Sequence, residues 1–163
     1  MGIATSPITD KQITIHLPLK IEGHYRVLAH DAQTGRLIHE QRTRNTIPDN
    51  GWLGIFTRMF KSDATLSFYN WLAIGIDGSA TASNQAALVN EKFRTAIAQA
   101  KATKDGVTVV AFIGPTQGNG ETYREVGLFN AASGGLILNR AIHDPQAKTS
   151  SISLTYISEI VRV

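Results

Sequence analysis

The strongest pattern in the chain is an alternation of apolar and polar positions with a period of two. Ile21, Tyr25, Val27 and Ala29 fall on one side, and Glu22, His24, Arg26 and His30 fall on the other. That spacing predicts a strand with one face buried and one face wet. The stretch 31–35 follows, where Asp31 can bond its own backbone and Gly35 can take a positive φ, so a turn and a return strand over about 36–44 complete a hairpin. Ile13, Ile15 and Leu17 alternate in the same way until Pro18, which has no N–H to give, so this strand sits at an edge or ends there. Further strands are expected at 71–76, 107–113, 123–129, 136–142 and 152–163, with Pro145 opening a connection before the last. Turn signals at Lys104-Asp105-Gly106 and at Ser133-Gly134-Gly135 separate them.

Two segments break the period. After Pro48, apolar residues at Trp52, Ile55, Phe56, Met59 and Phe60 take helical spacing, with Asp49 or Asn50 as the cap. Residues 86–102 carry two conflicting signals. Alanines and the stripe Val89, Phe93, Ala96, Ile97 and Ala100 favour a helix, yet the turn at 104–106 requires a strand before it. The reading taken is a short turn or helix near 86–90 and a strand from about Phe93. The sum is about eight short strands and one or two short helices, a mainly β fold built as an antiparallel sandwich or barrel-like sheet. Residues 1–11, with Ile3 and Pro7, read as an N-terminal arm; residues 12–163 read as one β-rich domain with a sub-lobe at 12–62.

Composition narrows the function. The chain has 163 residues, 42% of them hydrophobic and 18% charged, and lacks cysteine. This is enough to bury a core, and it excludes disulfides and thiolate metal sites. The net charge of +3 is spread thinly, and no apolar run approaches the ~18 residues that would span a bilayer. No membrane segment or signal peptide is expected. Arg42 and Arg44, with Arg36 nearby, are the nearest thing to a phosphate-binding ladder, and a solvated strand face accounts for them; no specific nucleic-acid partner is expected.

Catalytic constellations are missing from the sequence. The glycines at 114, 118 and 120 follow neither a dinucleotide nor a phosphate-loop spacing. His24, His30 and His39 lack the ligand set of a zinc site. Glu121 and Glu125 would stand roughly 13 Å apart along a strand, beyond the ~5–9 Å of a glycosidase pair. Glu125 lies among apolar neighbours and reads as the acceptor of a structural bond from Arg94 or Arg140. No enzyme activity, no cofactor, no metal and no small-molecule substrate are expected. Both tryptophans and several other aromatics crowd into 52–71, which reads either as core packing or as a subunit contact, and Trp52, Phe56, Phe60, Phe68 and Tyr69, with Ile3 and Pro7 of the arm, are the candidate assembly contacts.

Several motifs run in series along the second half. They are Leu72-Ala73-Ile74-Gly75, the stretch 87–94 ending in Arg94, and Arg124-Glu125-Val126-Gly127-Leu128-Phe129-Asn130, followed by a Gly-Gly-Leu hairpin and a closing Lys148-Thr149-Ser150 strand. This order resembles the tail-collar fibre domain at the N-terminus of many tailed-phage tail fibres, and the hairpin at 23–47 resembles the leading hairpin of small phage tail and neck proteins. The resemblance implies that Arg94, Glu125, Gly127 and Phe129 form a structural motif. It also implies a virion protein that docks on a tail, neck, baseplate or capsid surface through other phage virion proteins, in symmetric copies with a trimer favoured. No shaft or receptor-binding region follows the motif, so attachment is expected and receptor recognition is not. Two alternatives remain open: a capsid decoration protein bridging shell subunits, and a carbohydrate-binding module.

Overall fold

The computed structural model describes residues 21–60 and 67–163, with positions 59 and 60 given by their backbone. Ile3, Pro7, the arm they belong to, the alternating row at Ile13, Ile15 and Leu17, and the side chain of Phe60 lie outside the described residues. The elements are β1 (Ile21–Asp31), β2 (Leu37–Thr46), α1 (Asp49–Phe60), β3 (Trp71–Gly75), β4 (Glu91–Ala96), β5 (Gln99–Thr103), β6 (Gly106–Ile113), β7 (Thr122–Phe129), β8 (Ile137–Ala147) and β9 (Ile152–Arg162). The nine strands form one antiparallel sheet in the order β4-β3-β7-β8-β2-β1-β9-β6-β5, curled into a half-barrel. The mainly β reading therefore holds.

The curl has a local cause. β2 pairs β1 from Leu37 to Arg44 but pairs β8 only through Asn45 and Thr46. Along the rest of β2, side chains replace the ladder. Gln41 donates to Asp144 O at 3.2 Å and accepts from Asp144 N at 2.8 Å, while Thr43 Oγ1 donates to Ile142 O at 2.6 Å. The sheet bends at this seam, as sheets do where a strand passes from one layer to the other. At the far side, β4 and β5 form the two ends of the sheet and are consecutive in the chain, linked by Ile97 and Ala98. Ile97 N donates to Asn70 O and Ala98 N to Val110 O, each holding one end of the sheet.

The alternation seen in the sequence fills the concave side. Tyr25, Val27 and Ala29 of β1 meet Val109, Ala111 and Ile113 of β6 and Leu154 and Tyr156 of β9; Leu72, Ile74, Val126 and Leu128 close over them from the other half. Fully burying such a side chain contributes about 1.5–3 kcal/mol. The other face of β3, β7 and β8 carries a smaller apolar layer, Ala73, Phe129 and Ile137, with Leu88 laid across it from the loop at 76–90.

Several expectations are corrected. There are nine strands among the described residues against about eight. Residues 86–90 are not helical, and the strand starts at Glu91 and resumes at Gln99; the helical stripe marks no buried face, since Val89, Ala96 and Ala100 are exposed and β5 is exposed along its length. Pro145 lies inside β8, where the register jumps from Glu125↔Ile142 to Tyr123↔Gln146 and no N–H is needed. Lys148 to Ser150 form the turn before β9, not a strand. The described part of 12–62 is no separate lobe, since β1 and β2 lie mid-sheet. Helix α1 starts at Asp49, with the Pro48 carbonyl accepting from Gly51 N and Trp52 N, so Pro48 stands at the cap and Asp49 and Asn50 lie in the first turn.

Candidate functional site

The motif residues at 94, 125, 127 and 129 converge on the convex face of β3, β7 and β8, where the loop at 76–90 is clamped. Glu125 and Arg140 project from neighbouring strands, and both are buried. Arg140 Nε donates to Glu125 Oε2 at 2.8 Å. The other guanidinium nitrogens reach into the loop, Nη1 donating to Ser79 O and Gln85 Oε1 at 3.1 Å each, and Nη2 to Asp77 Oδ1 at 3.4 Å. Glu125 holds the far end, with Oε1 accepting from Asn90 N at 2.7 Å and Oε2 from Val89 N at 3.0 Å. Ile76 N donating to Asn90 O closes the neck of the loop. A buried pair of this kind is tolerable only when the remaining donors and acceptors are met, and here the loop meets them. Hydrogen bonds from Ser79 hold the Asp77 carboxyl below its usual range.

Glycines make the clamp possible. Gly75 stands opposite Glu125, and a Cβ there would lie 2.4 Å from both Asn90 O and Glu125 Oε1. At Gly127 a Cβ would meet Asn139 O at 2.8 Å and Leu88 at 3.1 Å. Arg94 does not reach Glu125. It pairs with Glu91 at 2.6 Å, donates to Ala131 O and Gly134 O, and lies 3.9 Å above the Phe129 ring. Of the two donors considered for Glu125, Arg140 is the one used, and Arg94 instead ties the hairpin after β7 to the sheet. Sequence reasoning missed Asp77 and Gln85; the Asp77-Gly78-Ser79 turn signal was the available clue.

The aromatics of 52–71 divide. Trp71 joins the convex apolar layer and Tyr69 packs on the main core with its hydroxyl enclosed. Trp52 and Phe56 stack with centroids 5.9 Å apart on α1. Leu53, Phe56 and Phe68 are exposed at 58%, 53% and 68%, and the Arg58 guanidinium lies 4.1 Å over the Phe68 ring. The other residues singled out by sequence do not converge. His24 and His30 point to the convex side of β1, whereas His39 pairs with Ala29 on the opposite parity. Arg42 and Arg44 share the face of Arg26 and His24, and Arg36 lies before β2. The loop at 114–120 joins β6 to β7 and is held by Tyr123 Oη donating to Gly118 O at 2.8 Å and by the Lys148 amine donating to Asn119 at 2.7 Å. Among the described residues, no group of three or more His, Asp or Glu side chains is placed to hold a metal ion.

Among the described residues, His143 is the one buried histidine. Nδ1 sits 2.8 Å from Asp144 O and Nε2 sits 3.3 Å from the Tyr156 hydroxyl, so the ring is neutral, donating to the carbonyl and accepting from the phenol. Burial lowers its pKa, against the pull of Asp144 and Glu125 and with a push from Arg124. The unfolded chain takes up this proton first, near pH ~6.5. The stability contributed by neutral His143 is therefore complete above that pH and is lost as pH falls through the lower folded value. The unfolding free energy from urea titrations is expected to fall between about pH 7.5 and about pH 5.5 by at most about 1.4 kcal/mol per pH unit, and His143→Asn should flatten that slope. An equal slope in the variant would assign the loss to other groups.

Comparison with family models, with characterised proteins and with solved structures gives no match to this chain.

Proposed function

We propose that this chain is a non-enzymatic structural protein of a tailed-phage virion, a tail, neck or baseplate component or fibre-attachment adaptor that acts through protein–protein contacts. The observation that carries the reading is the exposed aromatic surface of α1 and the segment after it, where Leu53, Phe56 and Phe68 stand in solvent. Leu53 and Phe56 stand about one turn apart on α1, and large exposed apolar groups that recur on one element mark a partner site. Their positions are fixed rather than loose: Gly51 brings the first turn of α1 against the β8 backbone, where a Cβ would lie 2.1 Å from Leu138 O. The non-enzymatic part is supported by the occupation of the buried polar groups. Glu125, Arg140 and His143 are each engaged in holding strands and loops together.

Phe56→Asp and Phe68→Asp test the reading. Both residues are exposed, so each variant should keep its unfolding free energy to within about 0.5 kcal/mol. Incorporation into particles should fall at least about tenfold, which is the effect of losing ~1.4 kcal/mol of contact energy, and the mass by light scattering should fall toward that of the monomer. Folded variants that assemble as the wild type does would overturn the proposal. Copy number per particle separates a tail or neck station, with small symmetric multiples, from shell decoration.

A further inference from the structure

Both halves of the sheet turn apolar residues outward, and among the described residues only one half has them covered. On β3, β7 and β8 the clamped loop lays Leu88 over Ala73, Phe129 and Ile137. On β6, β9, β1 and β2 the outward residues alternate with the buried ones, and the strand register fixes which of them are neighbours. Val110, Ile157, Arg26 and Arg42 stand in one row across these strands, and Phe112, Thr155, Leu28 and Glu40 stand in the next. Phe112 is 50% exposed, and Val110, Ile157 and Leu28 are half-buried. None of these four joins either apolar layer among the described residues. The charges beside them are unevenly matched. Arg26 and Arg42 oppose each other directly, an arrangement that costs stability, and the nearby carboxylate of Glu40 pairs with Arg26 at 2.9 Å.

We infer that this outer face packs against the same face of a second copy of the chain, about a two-fold axis that crosses the strands between the two rows. Such an axis exchanges the rows, so each contact is made twice. Arg42 meets Glu40 of the second copy, Val110 meets Phe112 of the second copy, and Ile157 and Leu28 lie between. Sheets packed face to face keep their strands within about 30° and sit about 10 Å apart, which holds these partners opposite one another. A two-fold axis along the strands would instead lay β2 over β6 and press Arg42 onto Val110 with no counter-charge, which is costly. Four strands about 4.8 Å apart and about eight residues long present roughly 500 Å² per copy. The pair therefore buries about 1,000 Å², the low end for a specific interface, and a Kd of about 10 μM is expected. The face is separate from the exposed aromatics of α1, because α1 docks on β8 and β8 is not one of these strands.

The test is sedimentation equilibrium of the full chain over a concentration series, in the wild type and in a Phe56→Asp background that removes contacts made through α1. A monomer–dimer equilibrium should persist in that background, which separates this inference from the assembly reading. Phe112→Asp should weaken the dimer at least about tenfold while the unfolding midpoint, taken below about 10 μM, stays unchanged. Glu40→Arg and Arg42→Glu, each alone, set like charges against each other across the two-fold axis and should weaken the dimer at least about tenfold. An equimolar mixture of those two variants should dimerise as tightly as the unsubstituted face, because both cross-pairs then join opposite charges. Circular dichroism confirms that each variant is folded. A monomer at every concentration up to about 1 mM, a dimer indifferent to Phe112→Asp, or a mixture that associates no better than its components would each overturn the inference.

Discussion

Arg140→Met is expected to destabilise the protein by about 3–5 kcal/mol, the cost of leaving a buried charge without its partner. The carboxylate of Glu125 would keep only the amides of Val89 and Asn90, the carbonyl of Ser79 would lose its donor, and Gln85 Oε1 would keep only the Ala82 N–H. Glu125→Gln should cost as much as Arg140→Met, because the amide keeps one oxygen while its NH2 must face either the Asn90 N–H or the Val89 N–H and Arg140 Nε–H, and the guanidinium loses its counter-charge. The double variant Glu125→Leu with Arg140→Met should be more stable than the sum of its single losses by more than 1 kcal/mol or so, since it removes both charges at once. Denaturant unfolding of the four proteins measures this. Strict additivity would mean that the pair acts as two separate anchors and not as one clamp.

The second large effect is expected at Phe129. Phe129→Ala should cost about 3–5 kcal/mol, the range for deleting a buried aromatic side chain. The ring is buried beside Ala73, Leu88 and Ile137, so its removal leaves a cavity under the clamped loop. It also takes away the surface on which the Arg94 guanidinium rests at 3.9 Å. Phe129→Leu should recover most of the packing but not the cation–π contribution, about 0.5–1 kcal/mol at a partly exposed site. Amide exchange should report the difference locally, with faster exchange in the hairpin at 131–135 for both variants and in the loop at 76–90 for the alanine alone. Equal exchange in the loop for both would place Phe129 outside the support of the clamp.

Much of the sheet was legible because one physical cause, burial of one strand face, writes a period of two. The β1–β2 hairpin shows it plainly: Asp31 Oδ1 accepts from Gln33 N and Thr34 N, and Gly35 takes φ 70°. Glu125 was legible as a buried acceptor for the same reason, a charged residue set in an apolar run. Its clamp was not, because the residues it holds, from Asp77 to Asn90, form no regular element and carry no period. The stretch at 86–102 misled for a related reason. Val89, Ala96 and Ala100 are exposed and β5 is exposed throughout, so the apolar residues there record no buried face, and their spacing mimics a helical stripe. The aromatic cluster of 52–71 could be counted in sequence, but Tyr69 and Trp71 go inward while Phe56 and Phe68 remain outside. That division depends on how α1 docks, which no local signal encodes.

The pairing of β1 with β9 has a consequence in time. Ile21 stands opposite Arg162 and Asp31 opposite Ile152, so the two strands that share the longest ladder are separated by most of the polypeptide. During synthesis, β1 and β6 both present bare hydrogen-bonding edges until residues 152–162 emerge and slot between them. Ordering so much intervening chain before this ladder can form makes folding slow, in the range of milliseconds to seconds typical of non-local β topologies. Until then the half-finished sheet is a template for pairing with another nascent chain, so yield in the cell should depend on expression rate and on chaperone capacity more than on the stability of the finished fold.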